Sequence, residues 1–278
     1  MADTPNAQEL LALAVRAAAG GAALAQDARE QAITQVGTKS TDTDVVTAGD
    51  EAVERYIVTE LRSARPGDAV LSEESGVIAG VVGAAHDSPV RWILDPIDGT
   101  VNYLYGVPYY AVSLAAEVDG VVVAAVVNNP ATGEQWTALR GGGAYRGAYG
   151  SGRRLSGSTE TDLGHALVAT GFGYHPERRR HQAAVLAGLA ERIRDIRRFG
   201  SAALDLCLAA EGTVDGYYEA GLNAWDMAAG VLIATEAGLA VTGVDGGPPT
   251  MSLLVAAPPA IHGRLLSVLT DLDAAGGP

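Results

Sequence analysis

The chain has 278 residues, 48% of them hydrophobic, and 33 acidic against 19 basic side chains give a formal charge of −14. That length supports a large core, either one α/β domain or two fused lobes, and the acidic excess excludes general binding to nucleic acid or anionic membrane. No apolar run is long enough to span a bilayer, and the first residues lack a basic-then-apolar leader pattern, so a cytoplasmic protein is expected. The one cysteine, Cys207, cannot form an internal disulfide, and its apolar neighbours make it a core residue.

In chain order, the Ala-rich stretch 7–28 predicts an amphipathic helix. Residues 49–64 predict a second, with Val53, Ile57 and Leu61 on one face and Arg65-Pro66-Gly67 as its stop. A short strand over 69–71 runs into S-E-E-S-G, and another over 90–94 runs into Asp95. The run A-V-S-L-A-A-E-V-D-G-V-V-V-A-A-V-V predicts a hairpin turning at Asp119-Gly120, and W-T-A-L-R-G-G-G-A-Y predicts a further one. The glycines of the latter have the wrong spacing for a dinucleotide fingerprint. G-S-G-R-R-L-S-G-S at 150–158 separates an N-terminal lobe of about 1–149 from a C-terminal lobe of about 150–278. Beyond it, strands over 166–170, 214–219 and 253–256 alternate with helices over 177–194, 201–210, 225–237 and 261–269, Ser201 capping the second of these. The pattern is a layered α/β protein with a hairpin-rich, antiparallel first sheet. Seven arginines fall between residues 178 and 198 against two acids, Glu191 and Asp195, which reads as a solvated helix face.

Residues 91–105, R-W-I-L-D-P-I-D-G-T-V-N-Y-L-Y, carry two carboxylates to the end of an apolar strand. Residues three apart point to opposite faces of an extended strand, so Asp95 and Asp98 converge only if the chain turns between them, as Pro96 enforces. The Ile97 carbonyl then faces the same space. Two carboxylates and a carbonyl are hard oxygen donors, suited to Mg²⁺ rather than Zn²⁺ or Cu²⁺. Gly99 and Thr100 open a short helix whose free N–H groups favour a phosphate. Asp-Pro-x-Asp-Gly is also surface-turn chemistry, but the W-I-L strand before it favours the metal. Glu73 and Glu74 follow another strand, and Asp226 falls in a first helical turn, where its charge also suits the dipole. Eighteen of the nineteen basic residues are Arg, and Lys39 is the only lysine, as at a position requiring a compact ammonium.

The stretches W-I-L-D-P-I-D-G-T-V-N-Y and W-D-M-A-A-G-V-L-I-A-T-E-A-G resemble the two signature motifs of the inositol monophosphatase family, and S-E-E-S-G resembles its metal-binding glutamate segment. The likeness runs from about Lys39 to Gly238 and includes V-V-N-N-P-A-T-G-E-Q-W-T-A-L-R-G-G-G-A-Y. It implies an αβαβα sandwich of the inositol monophosphatase and fructose-1,6-bisphosphatase type, a Mg²⁺-dependent phosphomonoesterase and a homodimer. By position, Glu73, Asp95 and the Ile97 carbonyl would hold one Mg²⁺. Asp95, Asp98 and Asp226 would hold a second, with a third, weaker ion near Glu73. Glu73 and Thr100 would activate the attacking water, with Lys39 near the metals and Asp50 behind it. Ile97, Asp98, Gly99, Thr100 and Asp226 would line the substrate's side, its hydroxyls meeting Asp98, Glu219 and the Gly200-Ser201-Ala202 segment. Glu219 matches a glutamate that contacts inositol hydroxyls, so myo-inositol 1-phosphate is the expected substrate. Histidinol phosphate, fructose 1,6-bisphosphate, NADP and 3′-phosphoadenosine 5′-phosphate are the alternatives within the family. Asn223 stands where several members carry histidine.

Other chemistries fit less well. A haloacid dehalogenase-type phosphatase uses D-x-D-G-T with its first Asp as nucleophile, whereas this spacing is D-x-x-D-G-T. There is no G-x-S-x-G for a serine hydrolase, and the five histidines show no zinc-ligand spacing. A non-enzymatic binding partner in transcription is the rival of another class, and loss of metal ligands would mark it. None is lost.

Overall fold

The computed structural model describes residues 6–32, 36–39, 45–80 and 88–277; His86 lies outside them. The chain begins with α1 (Ala7–Ala32), a strand pair β1 (Val36–Thr38) and β2 (Val45–Thr47), and α2 (Ala48–Ala64). There follow β3 (Ala69–Ser72), β4 (Gly76–Ile78), β5 (Val90–Asp98) and the short α3 (Thr100–Tyr105). Next come β6 (Ala111–Val118), β7 (Val121–Asn129), β8 (Glu134–Leu139), β9 (Gly143–Arg146) and β10 (Arg153–Arg154). The remainder runs β11 (Leu167–Thr170), α4 (Pro176–Ala190), β12 (Asp195–Arg197), α5 (Ala202–Glu211), β13 (Gly216–Glu219) and α6 (Ala224–Glu236). It closes with β14 (Ala240–Thr242), β15 (Leu254–Ala257) and α7 (Pro259–Asp271).

Eight strands form the first sheet in the order β10-β9-β8-β7-β6-β5-β3-β4, antiparallel except between β3 and β5. The second sheet is β12-β11-β13-β15-β14, parallel around β11 and antiparallel around β15. Alternation along the strands then sorts residues between layers. Trp92, Leu94, Val112 and Leu114 pack under α1 and α2, while Ile93, Ala111 and Ala115 face α5 and α6. In the second sheet Tyr217 and Ala256 face that same middle helical layer, and Val168, Tyr218 and Val255 face α4 and α7. The architecture is thus α1/α2, sheet, α5/α6, sheet, α4/α7: the αβαβα sandwich. Cys207 is buried in the middle layer.

Both expected hairpins are present, with Asp119 and Gly120 at positive φ in the tight turn between β6 and β7. Ser201 caps α5, accepting from the Leu204 N–H at 3.4 Å. Other features refine the sequence expectation or depart from it. The helix expected over 177–194 stops at Ala190, and the chain then supplies β12 on the edge beside β11. The lobe boundary expected near 149/150 falls just before β10, the last strand of the first sheet. Finally, the chain does not turn away at Pro96: β5 continues to Asp98 through a bulge.

Candidate functional site

The bulge decides where the carboxylates point. Asp95 pairs with Ser113 and Asp98 with Ala111, so three steps on β5 oppose two on β6. One extra residue reverses the strand's alternation, and Asp95 and Asp98, three apart, come to line one cavity. Pro96 has no N–H to donate to a ladder, and a bulge requires none. The Ile97 N–H donates to Asp95 Oδ1 at 3.1 Å, which fixes the local loop. Gly99, at φ 95°, then turns the chain into α3; a Cβ there would stand 2.9 Å from the Gly200 carbonyl oxygen. Thr100 Oγ1 lies 3.1 Å from the Ile97 carbonyl and 3.2 Å from Asp50 Oδ1, with one proton to give.

The S-E-E-S-G segment is the turn between β3 and β4, and the Glu73 N–H donates to the Leu94 carbonyl at 3.3 Å, tying it to β5. Glu54, buried on α2, anchors this turn. Its carboxylate accepts the Glu74 and Ser75 N–H groups at 3.2 Å each and short hydrogen bonds from the Ser72 and Ser75 hydroxyls. Lys39 Nζ reaches Glu73 Oε1 at 2.8 Å and Glu74 Oε1 at 2.6 Å. Burial works against the Lys39 charge, but the two glutamates outweigh it and raise the ammonium's pKa. Asp50 is buried, receives the Thr47 N–H at 2.8 Å and the Thr47 hydroxyl at 2.6 Å, and is pushed up to about 6 by burial. Asp50 stays behind the cavity wall and touches it through Thr100.

The opposite wall belongs to the second sheet and the middle helices. Asp98 Oδ2 accepts the Ser201 hydroxyl at 2.6 Å and the Ala203 N–H at 2.7 Å, so the first turn of α5 is fastened to the end of β5. Burial lifts Asp98 to about 6 against those hydrogen bonds. Glu219 shares the face of Tyr217, whose hydroxyl donates to its Oε2 at 2.6 Å. Glu219 lies so close to Gly171 that any Cβ there would collide with the carboxylate. Burial raises it to about 7, opposed by Tyr217 and Arg198. Asp226, in the first turn of α6, accepts the Asn223 N–H at 2.6 Å. Burial and the nearby Asp98 raise it well above the carboxylate range, and burial with Glu73, Asp98 and Asp226 does the same for Asp95.

These walls enclose a cavity of about 680 Å³. Lys39, Glu73, Asp95, Ile97, Asp98, Gly99, Thr100, Gly200, Ser201, Ala202, Glu219 and Asp226 all line it, whereas Asp50 and Glu74 stand back from it.

The model of the inositol monophosphatase family matches residues 6–274. The chain belongs to that family. It is 48% identical over 240 residues to an inositol-1-monophosphatase of Mycobacterium leprae, covering 84% of this chain and 81% of that one. It is 39% identical over 262 residues to a protein of Pasteurella multocida named Nus factor SuhB, covering 93% of this chain and 94% of the relative. The structure superposes on the extragenic suppressor protein suhB of Bartonella henselae with a TM-score of 0.85 at 35% identity, over 94% of this chain and 98% of that one.

Inositol monophosphatases are metal-dependent phosphatases, and the donor set here fits a hard cation. Five carboxylates and Ile97 line the cavity, with no thiol and one imidazole, His175. Among the described residues no three His, Cys, Asp or Glu side chains close tightly around one point as they stand. The case for a cation is electrostatic: buried carboxylates that raise one another's pKa are the groups a divalent ion stabilises.

Several residues at the site were not visible in the sequence. Glu54 sits beside the Val53/Ile57/Leu61 stripe of α2 and looks like a helix-surface acid. Asn102, inside D-P-I-D-G-T-V-N, gives its amide to the Tyr109 carbonyl at 2.7 Å and the Phe199 carbonyl at 2.8 Å, pinning the loop before Gly200. Arg178 and Arg198, read as part of a solvated basic face, line the cavity, although the residues between them do not. Among the described residues no helix is long and apolar enough to cross a membrane.

Proposed function

We propose that the protein is a Mg²⁺-dependent phosphomonoesterase that hydrolyses a polyol monophosphate, with myo-inositol 1-phosphate as its preferred substrate, by direct in-line attack of water. The observation that carries this reading is the convergence of Glu73, Asp95, Asp98 and Asp226 with Glu219 in one cavity. The 48% identity to a protein named inositol-1-monophosphatase supports the substrate. Glu73, Asp95, the Ile97 carbonyl, Asp98 and Asp226 would hold two or three ions. Magnesium supplies positive charge against a phosphate dianion and acidifies water beside it.

The chain's own groups do the rest. Glu73 takes the proton of the attacking water on the oxygen that Lys39 does not hold. Thr100 Oγ1, held between Asp50 and the Ile97 carbonyl, orients that water. The N–H groups at Gly99 and Thr100 face the phosphoryl oxygens. Glu219 and the Gly200-Ser201-Ala202 segment receive the substrate's hydroxyls, and Asp98 sets the distance between the two walls through Ser201 and Ala203. Tyr217 keeps one Glu219 oxygen occupied, leaving the other for a hydroxyl. A cytoplasmic homodimer is part of this proposal.

The test is phosphate release by purified protein from inositol 1-phosphate and histidinol phosphate side by side, with Mg²⁺ and with chelator. Preferred, Mg²⁺-dependent release from inositol 1-phosphate is expected; fructose 1,6-bisphosphate, NADP and 3′-phosphoadenosine 5′-phosphate complete the panel. No release from any of them would end the enzyme reading. A second reading, a binding partner in transcription, has one observation in its favour, the Pasteurella multocida relative named Nus factor SuhB. An intact donor set favours the enzyme, and a variant lacking Asp95 separates the two, since a pure binding role would survive it.

A further inference from the structure

Ser113 is a buried hydroxyl that the site does not yet use. It lies on β6, is 1% exposed, and its Oγ has no hydrogen-bond partner. Buried hydroxyls are nearly always paired, and an unpaired one is a cost to the fold. A strand interior packed between sheet and helix would be better served by the alanines that flank it on the same face, Ala111 and Ala115.

The ladder shows what the hydroxyl is near. Ser113 faces Val127 on β7, which offers no acceptor on its side chain, and Asp95 on β5. Ser113 and Asp95 are directly opposed, on the face that turns toward α6 and the cavity. Opposed antiparallel residues hold their Cβ atoms about 4.5–5.5 Å apart, a gap that a serine and an aspartate close by rotating one bond each. Asp95 has Oδ1 engaged by the Ile97 N–H, and its carboxyl also lies within hydrogen-bond reach of Glu73. Two carboxyl groups share such a contact only through a proton, so in the ionised form a hydroxyl donor is what would fix the remaining oxygen.

We propose that Ser113 is a positioning residue for Asp95, its hydroxyl donating across the β5–β6 ladder to the carboxylate in its ionised, cation-holding form. The inference rests on the reading of Asp95 as a metal ligand. Outer partners that orient a ligand tune its affinity without touching the ion. The hydroxyl is retained for that task at the expense of the resting fold.

Two measurements on the purified protein test this: Mg²⁺ binding by titration calorimetry, and thermal unfolding in chelator. Ser113→Ala should bind Mg²⁺ about tenfold more weakly, while its metal-free Tm equals or exceeds the parent's, because a partnerless buried hydroxyl has been removed. Ser113→Thr, which keeps the hydroxyl, should recover the affinity. Binding by Ser113→Ala within twofold of the parent overturns the proposal. So does a lowered metal-free Tm, which would assign the hydroxyl to the fold, or a loss that Ser113→Thr fails to recover. A parent that binds no Mg²⁺ overturns both this inference and the site reading beneath it.

Discussion

On the first-sheet side of the cavity, Asp95, Ile97 and Asp98 lie within one bulged strand, and Glu73 follows the strand hydrogen-bonded beside it. On the second-sheet side, Glu219 ends β13, Asp226 opens α6, and Arg198 and Gly200 flank the entry to α5. The first wall is made by local backbone geometry, so its chemistry is fixed as a unit. The second is made by packing separate elements together, so its residues come from distant parts of the chain and are coupled through charge rather than through one strand. The first wall therefore suits the part of the reaction that cannot vary, gathering cations, and the second suits recognition of the alcohol.

Substitutions can break that contrast. The largest effect is expected at Asp95: Asp95→Asn should lower Mg²⁺-dependent turnover on the order of 1000-fold, as for loss of several kcal/mol of charge stabilisation. Its metal-free Tm should hold, since one of several mutually repelling buried carboxylates is gone. Near-normal turnover would sink the site assignment. Next comes Glu54→Gln, which breaks the anchor under Glu73 and Glu74. It should weaken apparent Mg²⁺ affinity about 10–100-fold while much of kcat returns at saturating Mg²⁺. A variant with parental Mg²⁺ dependence would show that the turn holds itself.

On the other wall, Glu219→Ala should lower kcat/KM for inositol 1-phosphate about tenfold, one charged hydrogen bond's worth, and leave a simple aryl phosphate nearly untouched. Equal losses on both would move Glu219 from recognition to catalysis. The smallest effect is on stability with pH. Burial holds Glu219 at about 7 in the folded protein, well above its unfolded value, so folding takes up a proton there. Its contribution is full below about pH 4 and lost as pH rises through about 7. Without metal, the parent should therefore lose more Tm between about pH 5.5 and 8 than Glu219→Gln, by at most a few degrees. An equal or shallower fall in the parent would contradict the raised pKa.

Much of the first wall was legible because its logic is local. An apolar run ending in D-P-I-D-G-T states both the strand and the donors, and Asp119-Gly120 states the hairpin that follows. The form of the chain at Pro96 was not legible, because a bulge is defined by the partner strand's register, and β6 is not visible from β5 alone. β4, β12 and β14 have three residues each, too few to show a period, and exist by pairing with longer neighbours. Glu54 and the arginines at 178 and 198 look like solvated charges in sequence; only the folded chain shows that one anchors a turn and two border a cavity.

The Lys39 clasp makes the chain its own reporter. With one lysine in the sequence, an acylating reagent finds a single side-chain amine, and it stands between Glu73 and Glu74. Held as an ammonium it is a poor nucleophile, and any event that draws Glu73 toward the cavity loosens its grip. The increment on the peptide that carries Lys39, followed over time and kept apart from acylation of the α-amine, thus reads the posture of the glutamate turn with no substrate and no dye.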